Sequence, residues 1–297
     1  MLIDIHGHCL KTKGIPLHRG DEPLLWTEIL LEMHKEIGID HGVLLPIVTP
    51  ESVCRVQSVD EVLDIVQASN GHFIPFMNVD PRMMYSNPNA DLEFVVEYYK
   101  AMGCKGIGEM TANLSFLDPR VLNLFAAAEK NNLPITIHIA TREGNIYGLI
   151  DDLGLPRLEA VLQKFPNLKI LGHSQTFWAH QSSDVNLNNW GGYPTGPVAR
   201  PGRITELMRK YPNLLGDLSA GSGMNAIMRD PSFGYEFLDE FQDRLFYGTD
   251  LCQPKNRNSD RFFGLRDFLN NALAEKHISK EVYEKVTHLN AEKLLGL

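Results

Sequence analysis

The chain has 297 residues, of which 43% are hydrophobic and 22% are charged, and its formal net charge at pH 7 is -9. This composition is typical of a globular protein with a large core, and the acidic balance argues against a nucleic acid or an anionic membrane as the main partner. No apolar stretch approaches the roughly 20 residues of a membrane span, and no leader-like pattern precedes Asp4, so we expect a cytoplasmic protein. The four cysteines are scattered without a CxxC pair, which predicts reduced thiols.

Short runs of β-forming residues recur along the chain and predict eight strands. Most of these runs are continuously apolar rather than alternating, which is typical of parallel strands covered on both faces. The runs are LIDIH (2–6), HGVLLPIV (41–48), HFIPFMNV (72–79), CKGIGEM (104–110), LPITIHIA (133–140), LKILGHS (168–174), NLLGDLSA (213–220) and RLFYGTD (244–250).

Segments with helical periodicity separate these strands, and one more follows the eighth strand. Gly38 and Gly103 are expected to end helices, and Asp118 with Pro119 is expected to start one. The predicted helical segments are 23–38, 58–70, 89–103, 118–132, 156–166, 202–212, 233–243 and 260–276.

Eight such strand–helix units predict an α/β fold, a single-domain (β/α)8 TIM barrel over residues 1–297. A doubly wound open sheet is the alternative, although the GxGxxG fingerprint that often follows the first strand of such a sheet is missing. Two segments depart from the regular pattern. Residues 174–202 form a long loop after the sixth strand, and residues 279–297 predict a tail of two short helices with Asn290 as an N-cap.

Polar residues stand at the carboxyl ends of the predicted strands, where the active sites of barrels are built. In "DIHGH" at the start of the chain, His6 and His8 lie two residues apart and therefore share one face of an extended strand. Imidazole nitrogens and carboxylate oxygens together bind zinc or a similar divalent ion. Asp217 is expected to support a ligand rather than to bind the metal. The strand-end residues are His6, His8, Glu109, His138, His173, Asp217 and Asp250.

This arrangement resembles the amidohydrolase superfamily: HxH on strand one, histidine on strands five and six, and aspartate on strand eight. The stretches "GPVARPGR" (196–203) and "GDLSAGSG" (216–223) are similar to the amidohydrolase-2 branch. The resemblance implies that His6, His8, His138 and Asp250 are metal ligands. It also implies that His173 is either a ligand of a second ion or, in decarboxylating members, an acid/base.

Glu109 departs from the decarboxylating relatives, which generally lack a carboxylate on strand four, whereas some hydrolytic relatives use one to bind metal. A structural role as the partner of Lys105 is the alternative for this residue. With Glu109 as a metal ligand, the resemblance favours a metal-dependent hydrolase that acts on a small amide or lactone, one that carries a carboxylate. Zinc is the expected ion and manganese the alternative, and the site is expected to hold either one or two ions.

Such an ion would lower the pKa of water towards about 7. Asp250 would then transfer a proton from this water to the leaving group, and His173 would stabilise the oxyanion. Non-oxidative decarboxylation of an aromatic or unsaturated acid, with His173 as the proton donor, is the second hypothesis. A barrel that binds a metal or a small molecule without catalysis is the third.

The loops are expected to bind a small-molecule substrate. The sequence is also compatible with a homo-oligomer. Arg142 and Arg200 are predicted to hold its carboxylate through the guanidinium fork, and Trp178 and His180 are predicted to contact it. Further candidates for the same pocket are Trp190, Tyr193 and Arg203. The remaining histidines are expected to be structural or solvated, namely His18, His34, His41, His72, His277 and His288.

Overall fold

Parallel strands alternate with helices along the chain in a computed structural model, which describes residues 1–16 and 18–297. All eight predicted strands are present among these residues, and one further short strand follows the fifth. The strands are β1 (Ile3–Gly7), β2 (His41–Leu44), β3 (Phe73–Pro75), β4 (Ile107–Met110), β5 (Ile135–Ala140), β6 (Leu149–Ile150), β7 (Ile170–His173), β8 (Leu214–Asp217) and β9 (Leu245–Phe246).

The eight predicted helices are confirmed, and further helices lie between or after them. Gly38 ends the first helix with a left-handed backbone, φ 88°, and the Asp118 side chain caps the helix that begins at Pro119. The helices are α1 (Thr27–Ile37), α2 (Val59–Ala68), α3 (Met83–Ser86), α4 (Leu92–Ala101), α5 (Pro119–Lys130), α6 (Pro156–Lys164), α7 (Gln175–Ala179), α8 (Arg203–Lys210), α9 (Ala220–Met228), α10 (Pro231–Glu240), α11 (Gly264–Ala274), α12 (Lys280–Glu284) and α13 (Asn290–Leu295). Within the described residues, no helix combines the length and the apolar character that crossing a membrane requires.

The strands close into a barrel at two seams. One sheet has the order β1-β2-β3 and the other β4-β5-β7-β8-β9, with β6 added beside β5. At the first seam the Met77 amide donates to the Gly106 carbonyl at 2.9 Å, and at the second the Ile5 amide donates to the Tyr247 carbonyl at 3.0 Å. The (β/α)8 barrel is therefore confirmed as a single domain, and the open doubly wound sheet is excluded.

Apolar side chains fill both the space between strands and helices and the inside of the barrel. Leu30, Leu124 and Ile204 belong to the outer layer, and each is a fully buried residue of a helix. Full burial of one such side chain stabilises the fold by roughly 1.5–3 kcal/mol. A second cluster joins the strands to the C-terminal helix α13 and comprises Ile3, Ile5, Val43, Leu45, Ile74, Phe76, Leu171, Leu215, Phe246, Ala291 and Leu295.

The C-terminal tail differs from the prediction at Asn290. A π-helical turn, Lys285–Leu289, joins α12 to α13 without a break, and Asn290 itself has helical angles, φ -65° and ψ -41°. The prediction that Asn290 is an N-cap was therefore wrong, because the helix has no free amino end there. Instead, the Asn290 amide donates to the carbonyls of Gln242 at 2.6 Å and Leu245 at 2.9 Å and so fastens the tail to the start of β9.

Asp4 ties the first strand to the segment that follows the last one. This carboxylate is fully buried and accepts hydrogen bonds from the His6 amide at 3.0 Å, the Thr249 amide at 2.9 Å and the Thr249 hydroxyl at 2.5 Å. The same segment donates back, from the Asp250 amide to the His6 carbonyl at 2.8 Å. Residues 6 and 250 are thus held side by side by backbone and side-chain bonds together.

Replacing Asp4 with alanine is expected to lower the free energy of unfolding by about 2–4 kcal/mol, because three buried donors would lose their acceptor. Urea denaturation measures this change. Asp64→Ala is the matched control, since the Asp64 side chain is 57% exposed and pairs only with an exposed lysine. A loss at Asp4 no greater than that at Asp64 would contradict the structural role of Asp4.

Three of the histidines predicted to be structural form a cluster around α1. His34 is fully buried, and its Nδ1 lies 2.9 Å from Nε2 of His72, while His34 Nε2 lies 3.5 Å from the Asp4 carboxylate. His41 packs near His72, with ring centroids 6.5 Å apart. Burial, together with the neighbouring His34 and His41, lowers the pKa of His72 to about 4.

The pKa of His72 predicts a pH dependence of stability. Between about pH 6.5 and pH 4 the unfolded chain binds a proton at this residue and the folded chain does not, so stability falls as the pH falls through this window. His72→Gln is expected to flatten the decline relative to the parent, as measured by urea denaturation at several pH values. His277→Gln, at a surface histidine, serves as the control and should leave the slope unchanged.

Candidate metal centre

The six residues predicted to bind metal converge at the carboxyl end of the barrel. His6 lies in β1, Glu109 in β4, His138 in β5 and His173 at the end of β7, while His8 and Asp250 follow β1 and β9. All are buried except Asp250, whose side chain is 19% exposed. All but His6 line a cavity of about 240 Å³, and His6 contacts this cavity's wall through His8 and His173.

Both histidines of the HxH motif use Nδ1 in a hydrogen bond to the surrounding protein, which leaves Nε2 facing the centre. Nδ1 of His8 donates to the Leu45 carbonyl at 2.7 Å, and Nδ1 of His6 donates to the Asp217 carboxylate at 2.6 Å. Although burial opposes ionisation, His6 and His173 hold the pKa of Asp217 well below its usual range, so it acts as an acceptor. Nδ1 of each ring is thus occupied, and the two Nε2 atoms, which lie 3.0 Å apart, are the nitrogens left for a cation or a shared proton.

Two carboxylates complete the surroundings of these nitrogens. Asp250 Oδ1 lies 3.5 Å from His8 Nε2 and 3.9 Å from His6 Nε2, and Glu109 Oε2 lies 3.6 Å and 3.8 Å from the same two atoms. Against the effect of burial, His138 and His6 hold the pKa of Glu109 well below its ordinary value. Two facing imidazole nitrogens beside two carboxylates favour a positive charge between them, and this set of nitrogen and oxygen donors fits a divalent ion.

The charges of His6 and His8 are set in opposite directions by their neighbours. Burial acts to lower the pKa of His6, but the Asp217 and Glu109 carboxylates outweigh it and raise this pKa well above its ordinary value. Burial and the nearby His6 lower the pKa of His8. The two imidazoles therefore readily carry one positive charge between them, whereas the lowered pKa of His8 opposes a second.

His173 and His138 approach Glu109 from the other side of the centre. Nδ1 of His173 lies 3.0 Å from the Ser219 hydroxyl and 3.4 Å from Asp217, which directs its Nε2 towards Glu109 Oε1 at 3.7 Å. His138 Nδ1 hydrogen-bonds to that same Glu109 oxygen at 2.7 Å. Two groups have ligand atoms within 4.8 Å of one another among the described residues, and both include His6: His6, Glu109 and His173; His6, His8 and Asp250.

His138 enters neither of these groups, and its Nδ1 is hydrogen-bonded to Glu109. Its expected role as a metal ligand stays a prediction. Lys105, the alternative partner suggested for Glu109, is absent from the contacts of that carboxylate, which are all with histidines. Glu109 therefore belongs to the polar centre.

Asp250 reaches the histidines from an unusual backbone conformation. Its φ of 53° lies in the left-handed region, which costs about 1–2 kcal/mol for most residues and which aspartate tolerates better than bulkier ones. The bond to the His6 carbonyl and the neighbouring bonds of Thr249 to Asp4 compensate for this strain. This conformation directs the Asp250 carboxylate towards both imidazoles.

The four residues predicted to contact substrate lie outside the cavity. Trp178 is buried in the core, where its indole donates to the Asp217 carbonyl at 2.9 Å. His180 is fully buried, with Nδ1 donating to the Thr176 carbonyl at 2.8 Å and Nε2 accepting from the Gly154 amide at 3.0 Å. Arg142 and Arg200 are exposed on loops and do not line the cavity.

Other side chains form the wall of the cavity instead. Tyr193 of the long loop lines it, as does Tyr147, whose ring packs on His138 at 4.5 Å between centroids. Arg261 lines the cavity and has a cationic side chain of the kind that was predicted to bind the substrate at Arg142 and Arg200. The sequence analysis missed it because residues 260–276 read as one helix, whereas α11 begins at Gly264 and leaves Arg261 in the loop after β9.

Comparison with known proteins agrees with this architecture. Residues 3–297 match the family model described as amidohydrolase. Comparison with curated protein sequences finds no significant match.

Solved structures of other proteins share the fold, and three of them illustrate the similarity. An uncharacterised TIM-barrel protein from Bordetella bronchiseptica is 18% identical with a TM-score of 0.63, and the alignment covers 99% of this chain and 98% of that one. A probable 2-pyrone-4,6-dicarboxylic acid hydrolase from Acinetobacter baumannii, with citric acid bound, is 14% identical with a TM-score of 0.61, covering 100% and 99%. The 5-carboxyvanillate decarboxylase of Sphingomonas paucimobilis is 17% identical with a TM-score of 0.62, also covering 100% and 99%.

Replacing Asp217 with asparagine is expected to weaken divalent-metal binding by about 10- to 100-fold, because the carboxylate that orients His6 would be lost. Competition with a chromophoric chelator measures the affinity. Asp151→Asn is the matched control: Asp151 is also a buried carboxylate, but it accepts the amides of Arg157 and Leu158 at the start of α6. Equal affinities in the two variants would show that Asp217 has no special influence on the centre.

Proposed function

The chain belongs to the amidohydrolase family, and we propose that it is a metal-dependent hydrolase of a small amide or lactone that carries a carboxylate. The observation that carries the proposal is the pair of imidazole Nε2 atoms, 3.0 Å apart, whose Nδ1 atoms are both occupied as donors. Zinc is the proposed ion, with manganese as the alternative, since both accept imidazole nitrogen and carboxylate oxygen.

His6, His8, Asp250 and Glu109 are the proposed ligands, and His173 and His138 are proposed to complete the centre. When bound there, a divalent cation would supply Lewis-acid polarisation of a substrate oxygen and a lower pKa for water. Asp217 and the Leu45 carbonyl keep the two imidazoles in the tautomer that such binding needs.

Asp250 is the proposed general base. Its Oδ1 lies within 4 Å of both imidazole Nε2 atoms, and its partial exposure to the cavity lets it contact water and substrate. It would take the proton from the attacking water and return it to the leaving nitrogen or oxygen. Glu109, buried and hydrogen-bonded to His138, supplies a fixed negative charge beneath them.

His173 is proposed to act on the substrate oxygen. Ser219 and Asp217 hold its Nδ1, which leaves Nε2 directed into the centre. A proton held at that nitrogen would stabilise negative charge that develops on a carbonyl oxygen.

Glu109 supports hydrolysis over decarboxylation. Its two oxygens reach His6, His8, His138 and His173, so this one carboxylate contacts both candidate ligand groups and would help to hold an ion bound by either group. Decarboxylation of an unsaturated acid is the second candidate, and the orientation of His173 favours it, because the same Nε2 could deliver a proton to carbon. Both chemistries occur among the structural relatives, which include a probable pyrone dicarboxylic acid hydrolase and a carboxyvanillate decarboxylase.

The same proposal includes a cytoplasmic location and a small-molecule substrate. Assembly into a homo-oligomer is compatible with it.

Elemental analysis of protein purified without chelator tests the metal centre. We expect at least one divalent ion per chain in the parent and a loss of most of it in His8→Asn, because a metal ligand would be gone. His180→Asn, which replaces an equally buried histidine outside the cavity, should keep the parental metal content. A metal-free parent, or full occupancy in His8→Asn, would contradict the proposal.

The reaction is tested with the same preparations. Amides, lactones and aromatic carboxylic acids are offered in parallel, with product analysis and carbon dioxide release as the two measurements. Hydrolysis that falls by a hundredfold or more in Asp250→Asn supports the proposal. Carbon dioxide release without hydrolysis, with one ion per chain in both the parent and Glu109→Gln, would assign the second function instead.

A further inference from the structure

Arg261 is the one lysine or arginine among the described residues that line the cavity. It lies in the loop between β9 and α11, and its side chain is 24% exposed. Nη1 donates to the Asp250 carbonyl at 3.2 Å and approaches the Asp250 carboxylate Oδ2 at 3.5 Å. These contacts hold the guanidinium at the edge of the metal centre.

Most of the donors of Arg261 remain available to a ligand. Among the described residues, its Nε and Nη2 have no hydrogen-bond acceptor, and Nη1 makes only the two long contacts with Asp250. Arg82 and Arg209 differ in this respect, since Nε and a terminal nitrogen of each bind carboxylates of the chain itself. A guanidinium that faces a cavity with its fork unfilled is suited to bind a carboxylate in two-point fashion.

The two oxygens of Asp250 place Arg261 and the histidines on different sides of that carboxylate. Oδ1 faces His6 and His8, whereas Oδ2 faces Arg261. A ligand carboxylate on Arg261 would therefore lie beside the metal centre rather than within it. The group that reacts at the histidines and the group that Arg261 binds must then be different parts of one molecule.

The remaining wall limits the size and character of that molecule. A volume of about 240 Å³ lies below the usual range for ligand pockets, roughly 300–1,000 Å³, and so admits only a small molecule. The wall also has apolar and aromatic side chains that would contact the body of the ligand, namely Leu24, Ile47, Val53, Tyr147, Tyr193 and Ala220.

We propose that Arg261 binds a carboxylate of the substrate that takes no part in the reaction, and that the substrate is a small carboxylic acid with an apolar body. This inference rests on the proposed function for the identity of the reacting end. Arg261 acts as the anchor that orients the molecule, so its binding energy would be used to position the reacting bond over the histidines.

Isothermal titration of sodium benzoate and of benzamide tests the proposal on protein whose metal content has been measured. The two probes share a ring and differ in charge, so we expect benzoate to bind at least tenfold more tightly than benzamide. Arg261→Gln should weaken benzoate binding by about 10- to 100-fold, the range expected for lost hydrogen bonds to a charged group. Arg261→Lys, which keeps the charge but lacks the fork, should give an intermediate affinity.

Arg142→Gln and Arg200→Gln are the matched controls, because these arginines are exposed and outside the cavity, and both should bind benzoate like the parent. Benzoate binding that is absent in the parent, unchanged in a folded Arg261→Gln, or equal to that of benzamide would overturn the inference. The metal analysis of His8→Asn tests the proposed function separately, since Arg261 variants should retain the parental metal content. A full metal complement without benzoate binding would overturn only the role of Arg261.

Discussion

The buried hydrogen bond between Asp217 and His6 is the constraint on which the centre depends. It crosses from β8 to β1 and fixes the proton of His6 on Nδ1, so the free nitrogen faces His8. Asp217 also lies 3.4 Å from His173 and accepts the Ser219 amide at 2.9 Å, which connects the histidine of β7 and the loop after β8 to the same carboxylate. Such a carboxylate is stable in the interior only because positively polarised groups surround it.

Closure of the barrel supplies the rest of the geometry. Polar groups contributed by strands far apart in sequence meet because parallel strands end at one rim, and the Asp4–Thr249 bonds align the first strand with the last segment. The irregular backbone at Asp250 is tolerated within this frame. Strands set the positions of most of the imidazoles, while Asp250, the proposed base, lies in a loop that lines the cavity.

The sequence predicted the barrel and the convergence of the strand-end polar residues well, because both depend on regular features. Continuous apolar runs identify buried parallel strands, and polar residues at the ends of those runs, such as His173 after "KILG", stand out against them. The loops follow no such rule. Trp178 and His180 read as pocket residues because their segment is rich in polar and aromatic residues, but the short helix α7 turns Trp178 into the core beneath Asp217. Arg261 was hidden by a helical pattern that begins four residues before α11 itself, and Asn290 by a π-helical turn that has no sequence signal of its own.

The seam between β1 and the segment after β9 also has a consequence for how the molecule is made. During synthesis His6 and His8 emerge early, but their partners Asp217, Thr249 and Asp250 follow more than two hundred residues later. The first strand can therefore close the barrel only after these later residues have been synthesised, and contacts of such long range form slowly. The proposed metal centre has its complete set of donors only after this last closure, so a cation bound there would bind a chain that is already almost fully folded.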